Sequence, residues 1–139
     1  MKTRKRTYID ASVLIAAFQG DEIISSRAMK VLEDPYRELV VSDFLRLEVL
    51  PKTTCHGNDA EAQFYETFFQ AARRTVRTSR NLISQAHEEA AGAGLAAMDA
   101  LHVAAAKAGK SDELITVEKA TKPSFRVSGI AVKTIRPET

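Results

Sequence analysis

The sequence predicts an α/β protein, a central parallel sheet flanked by helices on both faces. Three observations predict it. Short β-prone runs alternate with helical stretches along the chain. Two of those runs, "ELVVSD" (38–43) and "ELITV" (113–117), read as buried strands. No repeat, low-complexity tract or linker interrupts the alternation, so one domain over 1–139 is expected, with a basic N-terminal tail at 1–5.

In order, "TYID" (7–10) is β-prone and ends in an acid, and "SVLIAAFQGD" after it is helix-like. "SSRAMKVLED" (25–34) reads as an amphipathic helix with Met29 and Leu32 inward, stopped before Pro35. "ELVVSD" runs into the helical "FLRLEVL", whose N-terminus Ser42 or Asp43 can cap. Pro51 is expected to end or kink that helix. "NDAEAQFYETFFQAARR" (58–74) starts with Asn58 as N-cap and Glu61 three places on, a variant of the capping box. Phe64 and Phe68 then share one face. "TVR" (75–77) is a very short strand. "SRNLISQAHEEAAGAG" (79–94) is a helix closed by glycine. The alanine-rich "LAAMDALHVAAAKAG" (95–109) is strongly helical and closes the same way. "ELITV" and "GIAVKTI" (129–135) are the last strands.

Composition sets bounds. Of 139 residues, 45 % are apolar and 27 % charged, which argues against disorder. The net charge of +2 neither requires nor excludes a nucleic-acid partner. Cys55 is the single cysteine, so no intrachain disulfide forms and a reducing cytoplasm is the expected location. Next to His56 it falls short of a zinc set. "MKTRKR" before an apolar run imitates a signal peptide, but Asp10 interrupts the run and no small-residue cleavage site follows. No apolar run approaches the ~18 residues of a membrane span.

Function is signalled by acids in apolar company. Asp10 ends the first strand after Ile9. Glu48 stands between Leu47 and Val49 on the helix leaving the second strand. Asp99 stands between Met98 and Ala100, and Glu118 follows Val117. In parallel α/β sheets the ligand crevice lies at the carboxyl ends of strands, where two of these acids sit. Carboxylates brought together repel and raise one another's pKa unless protons or cations neutralise them. An all-oxygen set favours a hard divalent ion, Mg²⁺ or Mn²⁺.

"YIDASVLIAAF", "SDFLRLEVLPK", "MDALHVAAA" and "LITVEK" together resemble the PIN-domain nucleases, most closely the small single-domain toxins of the VapC type. The resemblance spans about residues 6 to 136. It implies a PIN-like fold and Mg²⁺- or Mn²⁺-dependent hydrolysis of RNA by water activated on one or two ions. It also implies site residues: Asp10 and Asp99 as principal ligands, Glu48 completing the set or orienting water, and Glu118 in a second or outer position. Ser12 and Thr116 would hydrogen-bond those ligands. Glu118 departs from the family, which usually carries Asp there. Partners implied by the family are an RNA substrate, a cognate antitoxin of a type II toxin–antitoxin pair, and a second copy in a homodimer. The alternative is a PIN fold that binds RNA or protein without cleaving it.

Other readings follow from position. Basic residues must frame an acidic pocket that takes a polyanion; candidates are Arg46, Lys52, Lys119, Lys122 and the arginines of "RRTVRTSR". His102, three places after Asp99, is read as a packed or supporting histidine rather than a ligand. Phe64, Phe68 and Phe69 are read as core or a dimer face, and the alanine-rich and Phe-rich faces as apolar contact surface. A dehalogenase-like enzyme is excluded by Ala-Ser after Asp10, where D-x-D is needed. A receiver domain, which needs a lone phosphoacceptor Asp at the end of its third strand and a paired acid at strand one, does not fit Asp10 followed by Ala-Ser either. No phosphate-cradling glycine loop is present.

Overall fold

The computed structural model describes residues 4–137. Among them are five strands and six helices. They run β1 (Lys5–Ile9), α1 (Ala11–Gln19), α2 (Glu22–Leu32), β2 (Arg37–Ser42), α3 (Asp43–Cys55), α4 (Asp59–Ala71), β3 (Arg74–Val76), α5 (Arg80–Ala93), α6 (Ala97–Ala108), β4 (Glu113–Thr116), a 3-10 turn (Pro123–Arg126) and β5 (Ala131–Thr134). The sheet order is β3-β2-β1-β4-β5 and every pairing is parallel. This is the α/β architecture expected from the alternation of strands and helices.

Successive strand residues point to opposite faces, so each strand feeds two cores. Ile9, Val41 and Ile115 pack with Val13, Leu14, Leu45, Tyr65 and Phe68 under α1 to α4. Tyr8, Val40 and Leu114 pack with Phe44, Leu82, Val103 and the alanines of α6 on the other side. Strands buried on both faces need consecutive apolar residues, which explains the "LVV" and "LIT" runs. Alanines let α6 approach the sheet closely. Gly109 carries this further: a Cβ there would stand 2.6 Å from Val40 Cγ1.

Several local expectations change. Pro51 does not end α3, which continues to Cys55. A proline there leaves the carbonyl of Leu47 without its helical partner, and Leu47 is exposed to water. Ser42, not Asp43, caps α3 by accepting from the Leu45 N–H at 3.1 Å. Asn58 occupies the cap position of α4 but its side chain makes no capping bond. Glu61 instead turns inward and is buried. α2 starts at Glu22, capped by Asp21, with Ala28 and Val31 buried and Met29 and Leu32 flanking them. The alanine-rich face expected to meet a partner is internal, since Ala100, Ala104, Ala105 and Ala106 are buried. Phe68 is core, and Phe64 and Phe69 pack against it partly buried. Of the basic tail expected over 1–5, residues 1–3 lie outside the described residues and Lys5 belongs to β1.

At the amino edge of the sheet, Glu113 opens β4 with 0 % exposure. Thr7 Oγ1 donates to its Oε2 at 2.6 Å, Arg37 Nε to Oε2 at 3.0 Å and Lys133 Nζ to Oε1 at 2.9 Å. Burial alone would raise its pKa; the bonds from Thr7, Lys133 and Arg37 outweigh burial and hold it below the usual 4.5. A carboxyl with a lowered folded pKa contributes stability above its unfolded pKa and loses it as pH falls through the folded value. Glu113→Gln is therefore expected to destabilise the fold at neutral pH by roughly 1–3 kcal/mol, less than a fully buried pair because Lys133 is half in water. It should also flatten the fall in stability below pH 4.5. Thermal melts of both proteins across pH check this; equal melting points at neutral pH would refute it.

Candidate active site

The strand order reverses between β1 and β4, because the chain crosses to β2 on one side and returns to β4 on the other. A reversal of this kind opens a crevice at the carboxyl ends of the two strands. Asp10 follows β1 and Glu118 lies just beyond β4, so both stand at its mouth.

Asp10 is the N-cap of α1. Its Oδ1 accepts the Ser12 N–H at 3.0 Å and also the Ser12 hydroxyl. Ser12 Oγ in turn accepts the Val117 N–H at 3.0 Å and lies 3.4 Å from Thr116 Oγ1. Thr116 Oγ1 accepts the Glu118 N–H at 3.1 Å, and the Asp10 N–H donates to the Ile115 carbonyl at 3.2 Å. Asp10, Ser12 and Thr116 are thus one hydrogen-bonded group joining two strand ends. Burial pushes the Asp10 carboxyl above its ordinary pKa, with Ser12, Thr116 and His102 acting in the opposite direction.

A second group starts inside the core. Ser42 Oγ, Tyr8 OH, His102 and Glu48 form a chain: 2.7 Å from Ser42 Oγ to Tyr8 OH, 2.6 Å on to His102 Nδ1, and 2.5 Å from His102 Nε2 to Glu48 Oε1. With the imidazole neutral, one direction satisfies every group. Ser42 donates to Tyr8, Tyr8 donates to Nδ1, and Nε2–H donates to the carboxylate. Burial raises the Tyr8 phenol far above its ordinary 10.0, so it stays a neutral donor. His102 is buried, as its reading as a supporting histidine requires.

Asp99, in the first turn of α6, and Glu118 are exposed. Burial of its carboxyl still raises the Asp99 pKa; His102 and Lys122 lower it, while Glu118 and Glu48 raise it further. Asp99 therefore feels the charges of Glu48 and Glu118. As arranged, no three His, Cys, Asp or Glu side chains among the described residues stand close enough to hold an ion together. No Lys or Arg among the described residues forms an ion pair with Asp10, Glu48, Asp99 or Glu118.

The basic frame is smaller than expected. Lys122 reaches Asp99 electrostatically, and Lys52 lines a cavity together with Glu48. Arg46 is committed to Glu66 at 2.6 Å and lies over the Phe69 ring, and Arg77 pairs with Asp43 at 3.5 Å. Two residues escaped the sequence reading as site residues. Tyr8 is hidden in an apolar strand, and Ser42 is recognisable only as a cap.

Fold and crevice define a doubly wound parallel α/β domain with an acidic switch point. The family model of the PIN domain matches residues 7–121, and the chain belongs to that family. No curated protein matches it in sequence. Solved structures match in fold. A chain of a toxin–antitoxin complex from Klebsiella pneumoniae has a TM-score of 0.70 at 20 % identity, covering 90 % of this chain and 95 % of that one. A chain of VapBC2 from Rickettsia felis, bound to a promoter DNA fragment, has a TM-score of 0.68 at 12 % identity, covering 93 % and 98 %. DNA-bound VapBC from Salmonella typhimurium gives 0.67 at 12 % identity, covering 94 % and 98 %.

An Asp with a raised folded pKa destabilises the fold once pH rises above its unfolded pKa of 3.8. Asp10→Asn keeps an equally good N-cap and removes the charge. In chelator its melting point should exceed that of the wild type at neutral pH, and the gain should vanish as pH falls below 3.8. Scanning calorimetry at two pH values decides; a lower melting point at neutral pH would refute it.

Proposed function

We propose that the chain is a metal-dependent endoribonuclease, cleaving RNA phosphodiester bonds, and the toxin of a type II toxin–antitoxin pair in the cytoplasm. The catalytic part draws on Asp10 and Glu118 standing just past the carboxyl ends of the two central strands, on Asp99 feeling the charges of Glu48 and Glu118, and on none of the four being ion-paired to a Lys or Arg among the described residues. The toxin part rests on family membership and on fold neighbours from a toxin–antitoxin complex and from DNA-bound VapBC. A cognate antitoxin and a homodimer belong to the same reading. Among the described residues no helix is long and apolar enough to cross a membrane.

The donor set fits a hard divalent ion, since it is all carboxylate oxygen and Glu118 and Glu48 raise the Asp99 pKa. Mg²⁺ or Mn²⁺ would be held by Asp10 and Asp99, with Glu48 and Glu118 completing the set. Asp99 and Glu118 are exposed, and Glu48, also exposed, is held by His102 at 2.5 Å. When bound, the ion supplies activation of water and charge stabilisation on the phosphate. Ser12 and Thr116 hold the Asp10 carboxylate in one orientation. His102, fixed by Tyr8, aims Glu48, whose second oxygen can orient water. Lys52 and Lys122 attract the RNA backbone.

Purified protein is expected to cut RNA with Mg²⁺ or Mn²⁺ and to stop in chelator. Asp10→Asn combined with Asp99→Asn should reduce cutting to background, and undiminished cutting by that variant sinks the proposal. His102→Ala should lower the rate roughly 10–100-fold by freeing the Glu48 carboxylate. The competing reading, a PIN-fold binding module, draws on Glu118 standing where the family carries Asp; RNA binding with no Mn²⁺ uptake in calorimetry would favour it.

A further inference from the structure

Beside Glu48 lies a cavity of about 340 Å³ enclosed by α1, α3 and α4. Its size falls at the lower end of small-ligand pockets, roughly 300–1,000 Å³. Tyr65 and Ile15 supply an apolar wall, while Lys52, His56 and Asn58 bring donors. The informative residue is Glu61, a carboxylate only 6 % exposed that also lines the cavity. Gln19 Nε2 donates to its Oε2 at 2.7 Å, and Tyr65 OH donates to the same oxygen at 2.5 Å. Oε1 accepts no hydrogen bond from the described residues. Oε1 is reached by water in the cavity, and an N–H from outside the chain can take that water's place while Gln19 and Tyr65 hold the carboxylate.

We propose that this cavity is a nucleobase-reading subsite for single-stranded RNA, taking a base with an exocyclic amino group. The amino group donates to Glu61 Oε1, and the donors of His56 and Asn58 face the ring nitrogen or keto oxygen beside it. Uracil places its O4 acceptor where cytosine carries the amino group, against the carboxylate oxygen, and is disfavoured although its ring N3–H is a donor. Lys52 stands one helical turn after Glu48 on α3 and borders the cavity, so a base seated there leaves its phosphate between Lys52 and the acids. The placement of that phosphate rests on the endoribonuclease reading; base recognition does not.

The arrangement gives Glu61→Gln a distinctive signature. The glutamine oxygen must stay under the Gln19 and Tyr65 donors, which turns its NH₂ into the cavity. An acceptor becomes a donor, and base preference should reverse. The probes are short labelled oligouridines with one internal nucleotide varied, titrated in chelator and read by fluorescence anisotropy. Wild type should bind the cytidine probe about tenfold tighter than the all-uridine one, and Glu61→Gln should shift the preference toward uridine. A probe carrying pyrimidin-2-one, which is cytosine without its amino group, should bind wild type as weakly as uridine; this arm needs no variant to fold.

Equal affinity of wild type for all three probes overturns the proposal. So does tight, Glu61-dependent binding of an arginine-bearing peptide with no base dependence, which assigns the cavity to a protein partner. Cleavage with Mn²⁺ that ignores the base at the cut sinks the subsite alone. Base preference in chelator without cleavage in Mn²⁺ sinks the nuclease reading alone.

Discussion

One hydroxyl group holds the crevice together. Strands β1 and β4 are neighbours whose connections leave on opposite sides, so their carboxyl ends have no loop in common. Ser12 supplies the missing connection. Its Oγ donates to Asp10, at the end of β1, and accepts from the Val117 N–H, beyond the end of β4. The Asp10 N–H to Ile115 carbonyl bond continues the ladder one step further. Asp10 therefore cannot move without disturbing both strand ends. A carboxylate in such a position is costly to bury, and its raised pKa expresses that cost.

Glu48 is positioned by the opposite strategy. It is exposed and sits on a helix whose turns could swing it widely, yet its Oε1 meets a buried imidazole. That imidazole is fixed because Tyr8, rooted in the middle of the sheet, occupies its other nitrogen. Rigidity passes outward from the core along one chain of hydrogen bonds. The buried polar atoms of Tyr8, Ser42 and His102 satisfy one another, so the chain sits in an apolar layer without an orphaned group.

Much of this was legible in the sequence. Strand and helix alternation and the glycine closing α5 are local signals that read correctly from a few residues, while the cap of α3 narrowed in sequence only to Ser42 or Asp43. The four acids stood out in the sequence because each is a charge beside apolar neighbours. Pro51 misled because the tolerance of an interior proline depends on whether the freed carbonyl meets water, which is a tertiary fact. Glu61 misled because the capping-box pattern and an inward carboxylate look identical in one dimension. The difference is the presence of Gln19 and Tyr65, 42 residues away and four residues away, as donors. Tyr8 was silent for a related reason: a tyrosine in a buried strand announces packing, and only its neighbours reveal the hydroxyl's role.

Glu113 and Asp10 offer an internal comparison that bears on the site. Both are carboxylates at ends of neighbouring central strands, one at the amino edge and one at the carboxyl edge. Glu113 is ringed by Thr7, Arg37 and Lys133, and its pKa falls. Asp10 has hydroxyl and amide donors but no ion pair with Lys or Arg among the described residues, and its pKa rises. The chain does recruit cations to a buried carboxylate where structure alone is at stake. At the carboxyl edge Asp10 has no such ion pair among the described residues, and the charge that lowers its pKa is His102. The proposed metal site draws on that asymmetry: at the amino edge the chain supplies cations to the buried carboxylate, and at Asp10 it supplies hydroxyl and amide hydrogen bonds.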